Sequence, residues 1–457
     1  MGAKGPNVIG NRGRAERPFA RSPTDARGAP RARGIAAWRV RGTVAAGLYS
    51  RCVRLYVAMF LMSSAVMVIA PMIPAIQVSH GFPVATLGII AGASLLAGVA
   101  TELFVGPQAD RGHERIMLIA SVLVAAASLA GSGAAHSVLV LTFWRALEGV
   151  AYGLFVPSAS AIVIRSEPDE VGEGLARLQV AEFAGFAAGP FMGAILLAWI
   201  GSTKGLEIAG LVTLALLPVV LGVRLPVTAA PAPTADGTPD RDDRPSSISF
   251  GLLRHKAVWV ALILSVAITA PVGTYSSMWA KFLADRGASG FVIATSLAIF
   301  TLPFIVIAPM AGRFVDRVGP LKGSVWGIWI VAIVVFAYGL IGSVVVIIAV
   351  SLIESAGQAR AGPGTAAAMA RASGSRRAGA GQGLARGVGF LAAGLTSFAA
   401  APVYAAWGAR VLFGATAVMM MVLVVLGWAL ARAWAPELDA PGPVGPQEAE
   451  VVATPVD

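Results

Sequence analysis

Seven ionisable side chains, Glu102, Arg145, Glu148, Glu182, Glu354, Arg360 and Arg386, fall inside stretches that are otherwise apolar. A carboxylate or guanidinium at bilayer depth costs about 2.5–3.5 kcal/mol even on the gentlest insertion scale, so each marks a candidate site. A desolvated carboxyl group can exchange a proton against a substrate or against a neighbouring arginine. Arg145 precedes Glu148 by three residues and shares its helical face, which makes it the obvious partner. Glu354 has Gln358 one turn on, whereas Arg360 falls on another face and needs a different partner. Counting inward from the starts of their spans, Glu148 and Glu354 both lie roughly 16 Å deep at 1.5 Å per residue, near the midplane. Glu102, Glu182 and Arg386 lie nearer span ends, where interfacial or gating pairs are expected.

The elements that must position these groups are legible in the composition. Of 457 residues 56% are hydrophobic and 13% charged, with a mean hydropathy of +0.76. Soluble domains hold roughly 25% charged residues, so this is a membrane protein. Apolar runs long enough to cross a hydrocarbon core of about 30 Å recur near 55–77, 85–107, 115–134, 138–163, 178–200, 206–223, 257–282, 289–312, 321–341, 343–367, 384–406 and 410–433. The expected fold is all-α, with twelve transmembrane helices in two parallel six-helix bundles. The domains are a basic tail at 1–50, a first bundle at 51–224, a linker at 225–252, a second bundle at 253–435 and a tail at 436–457.

The formal charge of +11 would suggest a nucleic-acid partner in a soluble protein. Here residues 1–54 carry twelve Lys or Arg against Glu16 and Asp25, so nearly all of the excess lies in one segment. That segment reads as a disordered cytoplasmic extension, with a misassigned start codon or an organellar transit peptide as alternatives, and no nucleic-acid partner is expected. If the N-terminus is cytoplasmic, the outer loops hold only Lys204, Lys281, Arg286 and Arg410, while inner loops hold Arg111 with Arg115, Arg313 with Arg317, and Arg376 with Arg377. The positive-inside rule therefore places both termini inside, and Lys scarce beside Arg with abundant Ala and Gly suggests a GC-rich bacterial genome, hence a bacterial inner membrane. The single cysteine, Cys52, excludes an intrachain disulfide, and His80, His113, His136 and His255 fall in separate loops without metal-ligand spacing.

The chain repeats itself. At an offset of 206, Gly106 answers to Gly312, Asp110 to Asp316, Arg111 to Arg317, Glu148 to Glu354 and Pro157 to Pro363. GLAR at Gly174–Arg177 returns at Gly383–Arg386 after a three-residue slip. Six spans per copy put the halves on the same side of the membrane, related by an axis along its normal, and two such bundles can rock about a shared midplane cavity.

Three local patterns, GPQADRGHER at 106–115, RALEGVAYG at 145–153 and GFAAGPFMGA at 185–194, resemble those of the major facilitator superfamily, and the likeness covers about residues 50–435. GPQADRGHER at 106–115, and its second copy GRFVDRVG, are similar to the family's loop between the second and third spans, with Gln108 where Leu is usual. RALEGVAYG at Arg145–Gly153 resembles the fourth-span R-x-x-Q-G pattern, with Glu148 where Gln is common. GFAAGPFMGA at Gly185–Ala194 resembles the fifth-span motif of proton-coupled exporters. The resemblance implies gating roles for Gly106, Asp110, Arg111, Gly312, Asp316, Arg317, Gly185, Gly189 and Pro190. It also implies a cavity lined by the first, fourth, seventh and tenth spans, where Glu148, Glu354, Arg145, Gln358 and Arg360 would serve substrate and proton coupling. Close packing of small residues accounts equally well for the four-residue spacing of Gly185, Gly189 and Gly193.

The leading expectation is a proton-coupled exporter of small amphiphilic organic molecules, working by alternating access. Its energy source would be the proton gradient, with no cofactor, the lipid bilayer as surroundings and a monomer as the working unit. Arg145 and the basic positions of later spans keep open an uptake porter for an organic anion such as a carboxylate or sugar acid. A non-transporting polytopic receptor is the third reading. No phosphate-binding loop or nucleophile constellation points to an enzyme.

Overall fold

Alternating charge-poor runs and short polar turns leave each backbone amide to be satisfied within its own segment, which in lipid selects helices. The protein is described here by a computed structural model that covers residues 52–105, 108–166, 171–223, 250–373 and 378–439. All regular structure among them is helical. The first half comprises α1 (Val53–Met67), α2 (Ile73–Ser79), α3 (Thr86–Phe104), α4 (Glu114–Gly133), α5 (Val138–Ser166), α6 (Val171–Ile200), α7 (Ser202–Thr213) and α8 (Leu216–Leu221). The second comprises α9 (Lys256–Ala284), α10 (Gly290–Val318), α11 (Pro320–Tyr338), α12 (Val344–Ser373) and α13 (Ala378–Trp434).

Ten described helices or helix pairs are long and apolar enough to cross a membrane. The sequence count of twelve differs at two places. Helix α13 contains Gly408 at φ 75° and ψ −175°, a reversal that a residue with a side chain rarely adopts, and it falls between the sequence runs 384–406 and 410–433. At 57 residues, an unbroken helix would be about 85 Å long, far beyond one bilayer. The other place is α10, where the apolar stretch that stands out by hydropathy, Gly290–Thr301, is shorter than a full span within a 29-residue helix.

Local chemistry sets several boundaries. Ser289 caps α10 by accepting the Val292 amide, and Gly319 at φ 92° ends it. Pro71 sits in the 3-10 turn Ala70–Met72 that separates α1 from α2. Gly112, at φ 89°, turns the chain in the π-helical segment Ala109–His113 that holds Asp110 and Arg111. Gly106 and most of the expected linker lie outside the described residues, as does the basic tail up to residue 51.

The two halves share a contact at the repeat spacing. A methyl group at Gly149 would collide with the Ser94 carbonyl, and the equivalent Ser355 hydroxyl donates to the Phe300 carbonyl at 2.5 Å. The same helix pair thus meets at the same register in each half. On the side away from residues 52 and 439, one apolar cluster joins the halves, with Ile69, Leu87 and Leu206 of the first packed with Met278, Ala400 and Leu412 of the second. On the side of residues 52 and 439, separate clusters serve each half, around Leu55, Phe155 and Leu216 in one and around Leu252, Met369 and Leu384 in the other.

Candidate functional site

Helix α5 carries Arg145, Glu148 and Tyr152 at spacings of three and four, so one helical stripe presents all three. Arg145 Nη1 donates to Glu148 Oε2 and forms an ion pair with it, the two side chains being 11% and 1% exposed. Glu148 Oε1 and Arg145 Nε are buried without a hydrogen-bond partner. One turn on, Tyr152 donates its hydroxyl to Glu182 Oε1 on α6.

The second half repeats the carboxylate but not its partner. Glu354, 1% exposed, accepts the hydroxyls of Tyr275 and Tyr338 at 2.6 Å each and the Gln358 amide at 2.8 Å. Position 351, where the repeat would place an arginine, is a serine whose hydroxyl turns back to the Ile348 carbonyl. Tyr338 is fully enclosed, against Trp279 and Phe413, while Tyr275 and Gln358 are half-buried.

Between the halves lies a charged bridge. Arg386 Nε of α13 pairs with Glu102 Oε1 of α3 at 3.1 Å, with the side chains 39% and 29% exposed, and Glu182 stands close enough to feel the same guanidinium. Beside it, rings form a ladder from Tyr152 through Phe186 and Phe183 to Phe304 and Phe300, with centroids 5.3–6.4 Å apart and the Phe183–Phe304 step crossing from α6 to α10.

The glycine stripe of α6 takes a packing position. Methyl groups at Gly185, Gly189 and Gly193 would collide with the α1 carbonyls of Phe60 and Ser64 and with that of Val68 just beyond it, so this stripe brings α6 against α1, with Pro190 buried within the helix. Arg317 is exposed in the last turn of α10, and Arg360 lies on α12 with Glu354. The backbone of Asp110 and Arg111 occupies the π-helical segment, and that of Gly312 and Asp316 occupies α10.

Sequence reasoning missed the tyrosines and one anchor. Of the six tyrosines in the chain, Tyr152, Tyr275, Tyr338 and Tyr404 each donate to a carboxylate, so the rarity of tyrosine was the available signal. The anchor is Arg165 at the end of α5, which pairs with buried Glu114 at 3.0 Å and reaches the Ala109 carbonyl at 3.3 Å, tying down the turn after α3.

The sequence profile of the Major Facilitator Superfamily matches residues 55–284 and 270–455. The chain belongs to that superfamily. It is a multi-pass membrane transporter of this type and not an enzyme. It is 28% identical over 312 residues to the 4-hydroxybenzoate transporter PcaK of Pseudomonas putida, covering 61% of this chain and 69% of that one. Multidrug resistance protein MdtG of Proteus mirabilis (strain HI4320) is 26% identical over 243 residues, 51% of this chain and 58% of that relative. Among solved structures, the nucleoside transporter NupG superposes with a TM-score of 0.68 at 14% identity, over 83% of this chain and 98% of that one. A D-xylose–proton symporter gives 0.68 at 13% identity, over 88% and 100%. These likenesses fix the superfamily fold.

Proposed function

We propose that this transporter couples proton movement to the export of small amphiphilic organic molecules by alternating access, in a bacterial inner membrane with both termini cytoplasmic. The observation that carries the reading is the cage around Glu354. A carboxylate held only by two hydroxyls and an amide changes the charge of its surroundings by one on protonation, and no counter-ion among those three donors is stranded when it does. The aromatic ladder between the halves offers π faces to the ring of an amphiphile. The Glu102–Arg386 pair would then be the bond that breaks when the bundles part on the terminal side, while the apolar cluster around Met278 and Leu87 closes the other. Similarity to a multidrug resistance protein supports export.

A second reading has its own observation. Protonating Glu148 would leave Arg145 as a buried guanidinium open to a carboxylate, which suits uptake of an organic anion together with a proton, and the similarity to a 4-hydroxybenzoate transporter supports it.

The two are separated by reconstituting the protein in liposomes that trap a pH dye and adding organic cations, organic anions and neutral amphiphiles in turn. Export by antiport predicts that a cation or neutral amphiphile moves protons against its own direction, and that Glu354→Gln abolishes the movement. Protons entering together with an anion, lost in Glu148→Gln instead, would replace the first reading by the second. Proton movement unchanged in both variants would end both.

A further inference from the structure

The outer face of the first half carries a crevice of about 370 Å³ between α1, α6, α7 and α8. Its walls include Leu61, Val68, Met192, Ile208, Val212 and Leu216. The two hydroxyls within it are satisfied by their own helices, Ser64 donating to the Phe60 carbonyl and Thr213 to the Ala209 carbonyl, both at 2.7 Å. The crevice therefore offers hydrocarbon and nothing else to its occupant. The break between α7 and α8 borders it, with Ala215 among its walls.

At the C-terminal end of α8, whose Leu216 is one of the crevice walls, two exposed guanidiniums donate to adjacent carbonyls. Arg54 Nη1 donates to the Gly222 carbonyl at 2.6 Å, and Arg115 Nη2 donates to the Leu221 carbonyl at 3.0 Å. A guanidinium has five N–H donors, and each of these bonds engages one nitrogen. The rise along α1 from Arg54 to Leu61 is about 10 Å, and from Arg54 to Val68 about 21 Å. That second distance matches half of a bilayer of about 40–45 Å including headgroups.

We propose that this face binds one phospholipid with an acidic headgroup, its phosphate between Arg54 and Arg115 and one acyl chain in the crevice. Guanidinium forks suit a phosphate diester, and the dry walls suit a chain that fills them. Eleven further Lys and Arg precede Arg54 in the sequence, a composition that favours an acidic leaflet. The lipid would brace the break between α7 and α8 against α1.

Native mass spectrometry of the full-length protein released from detergent tests this, with phosphatidylglycerol and phosphatidylcholine of identical chains and with inorganic phosphate as probes. The expected result is one retained phosphatidylglycerol per chain, preferred about tenfold or more over phosphatidylcholine. Arg54→Gln with Arg115→Gln should erase the preference and leave chain-length-dependent binding. Val212→Trp, which fills the crevice and touches neither arginine, should lower retention of both lipids. Equal retention of the two lipids by the wild type would overturn the proposal, as would displacement by inorganic phosphate alone or undiminished retention in Val212→Trp. A dimer mass that depends on Val212 in place of a lipid adduct would assign the crevice to a second copy of the chain and overturn it too.

Discussion

Glu148 and Glu354 occupy equivalent positions in the two halves, at the same register beside the same kind of helix contact, yet their surroundings differ in charge. Glu148 is clamped by a guanidinium from its own helix and keeps one oxygen without a partner. Glu354 is held by three neutral donors, two of them from other helices. The pair in the first half sums to zero charge, so removing either member exposes the other to a dry interior. The single charge in the second half can be cancelled by a proton without stranding a cation among its donors. Duplication has kept the scaffold, seen in Ser94 with Gly149 and Phe300 with Ser355, while the chemistry at its centre has diverged. On the function proposed above, the first copy keeps its charge and the second changes it.

Variants that remove one member at a time would break or sharpen this contrast. The largest effect is expected from Glu354→Gln, which should lower substrate-driven proton flux in liposomes by at least about a hundredfold, the usual minimum for removing a proton-transfer group. Substrate binding by the same variant, read by equilibrium titration, should survive. Next comes Glu148→Gln, which strands Arg145 in a site where breaking a buried pair costs about 3–5 kcal/mol. Thermal unfolding in detergent should show that loss, and Arg145→Met combined with Glu148→Leu should recover most of it. If the double variant transports at the wild-type rate, the clamp is architectural. If it is stable and inactive, the clamp belongs to the substrate site.

Smaller effects should follow from the tyrosines. Tyr338→Phe and Tyr275→Phe each delete one hydrogen bond to a charged acceptor, so each should destabilise by about 1.5–3 kcal/mol, with Tyr338 the costlier because it is fully enclosed. Equal losses in the two would contradict the asymmetry of burial around Glu354. The smallest change in stability belongs to Glu102→Gln, because its pair with Arg386 is partly exposed and worth at most about 1 kcal/mol. Its effect should appear instead in the accessibility of a cysteine introduced at Gly387, which lies against Leu103 and should label faster once the bridge is gone.

Local spacing explains which parts of this site the sequence revealed. Arg145 with Glu148 and Gln358 with Glu354 are separated by three and four residues, and helical geometry alone brings such pairs together. Tyr275 and Tyr338 reach Glu354 from two other helices, and only tertiary packing sets that meeting. The glycine stripe at 185–193 was legible as a close approach, but the partner surface on α1 was not. Hydropathy located the spans because lipid rewards one kind of surface on all sides, and it placed a loop near 407–409 where Gly408 reverses the chain. Arg165 escaped notice because an arginine near a span end ordinarily reads as a topology signal, and its bond to Glu114 depends on the turn after α3.

The contrast between the two carboxylates is tested most directly by infrared difference spectroscopy of the protein in liposomes, recorded as external pH is stepped with substrate present. A group that exchanges its proton contributes a carboxylic C=O stretch to the difference spectrum. That band should vanish in Glu354→Gln and persist in Glu148→Gln and in the Arg145→Gln, Glu148→Gln double variant. A band that persists in Glu354→Gln, or that disappears with Glu148, would contradict the assignment of the proton-exchanging role to the second half.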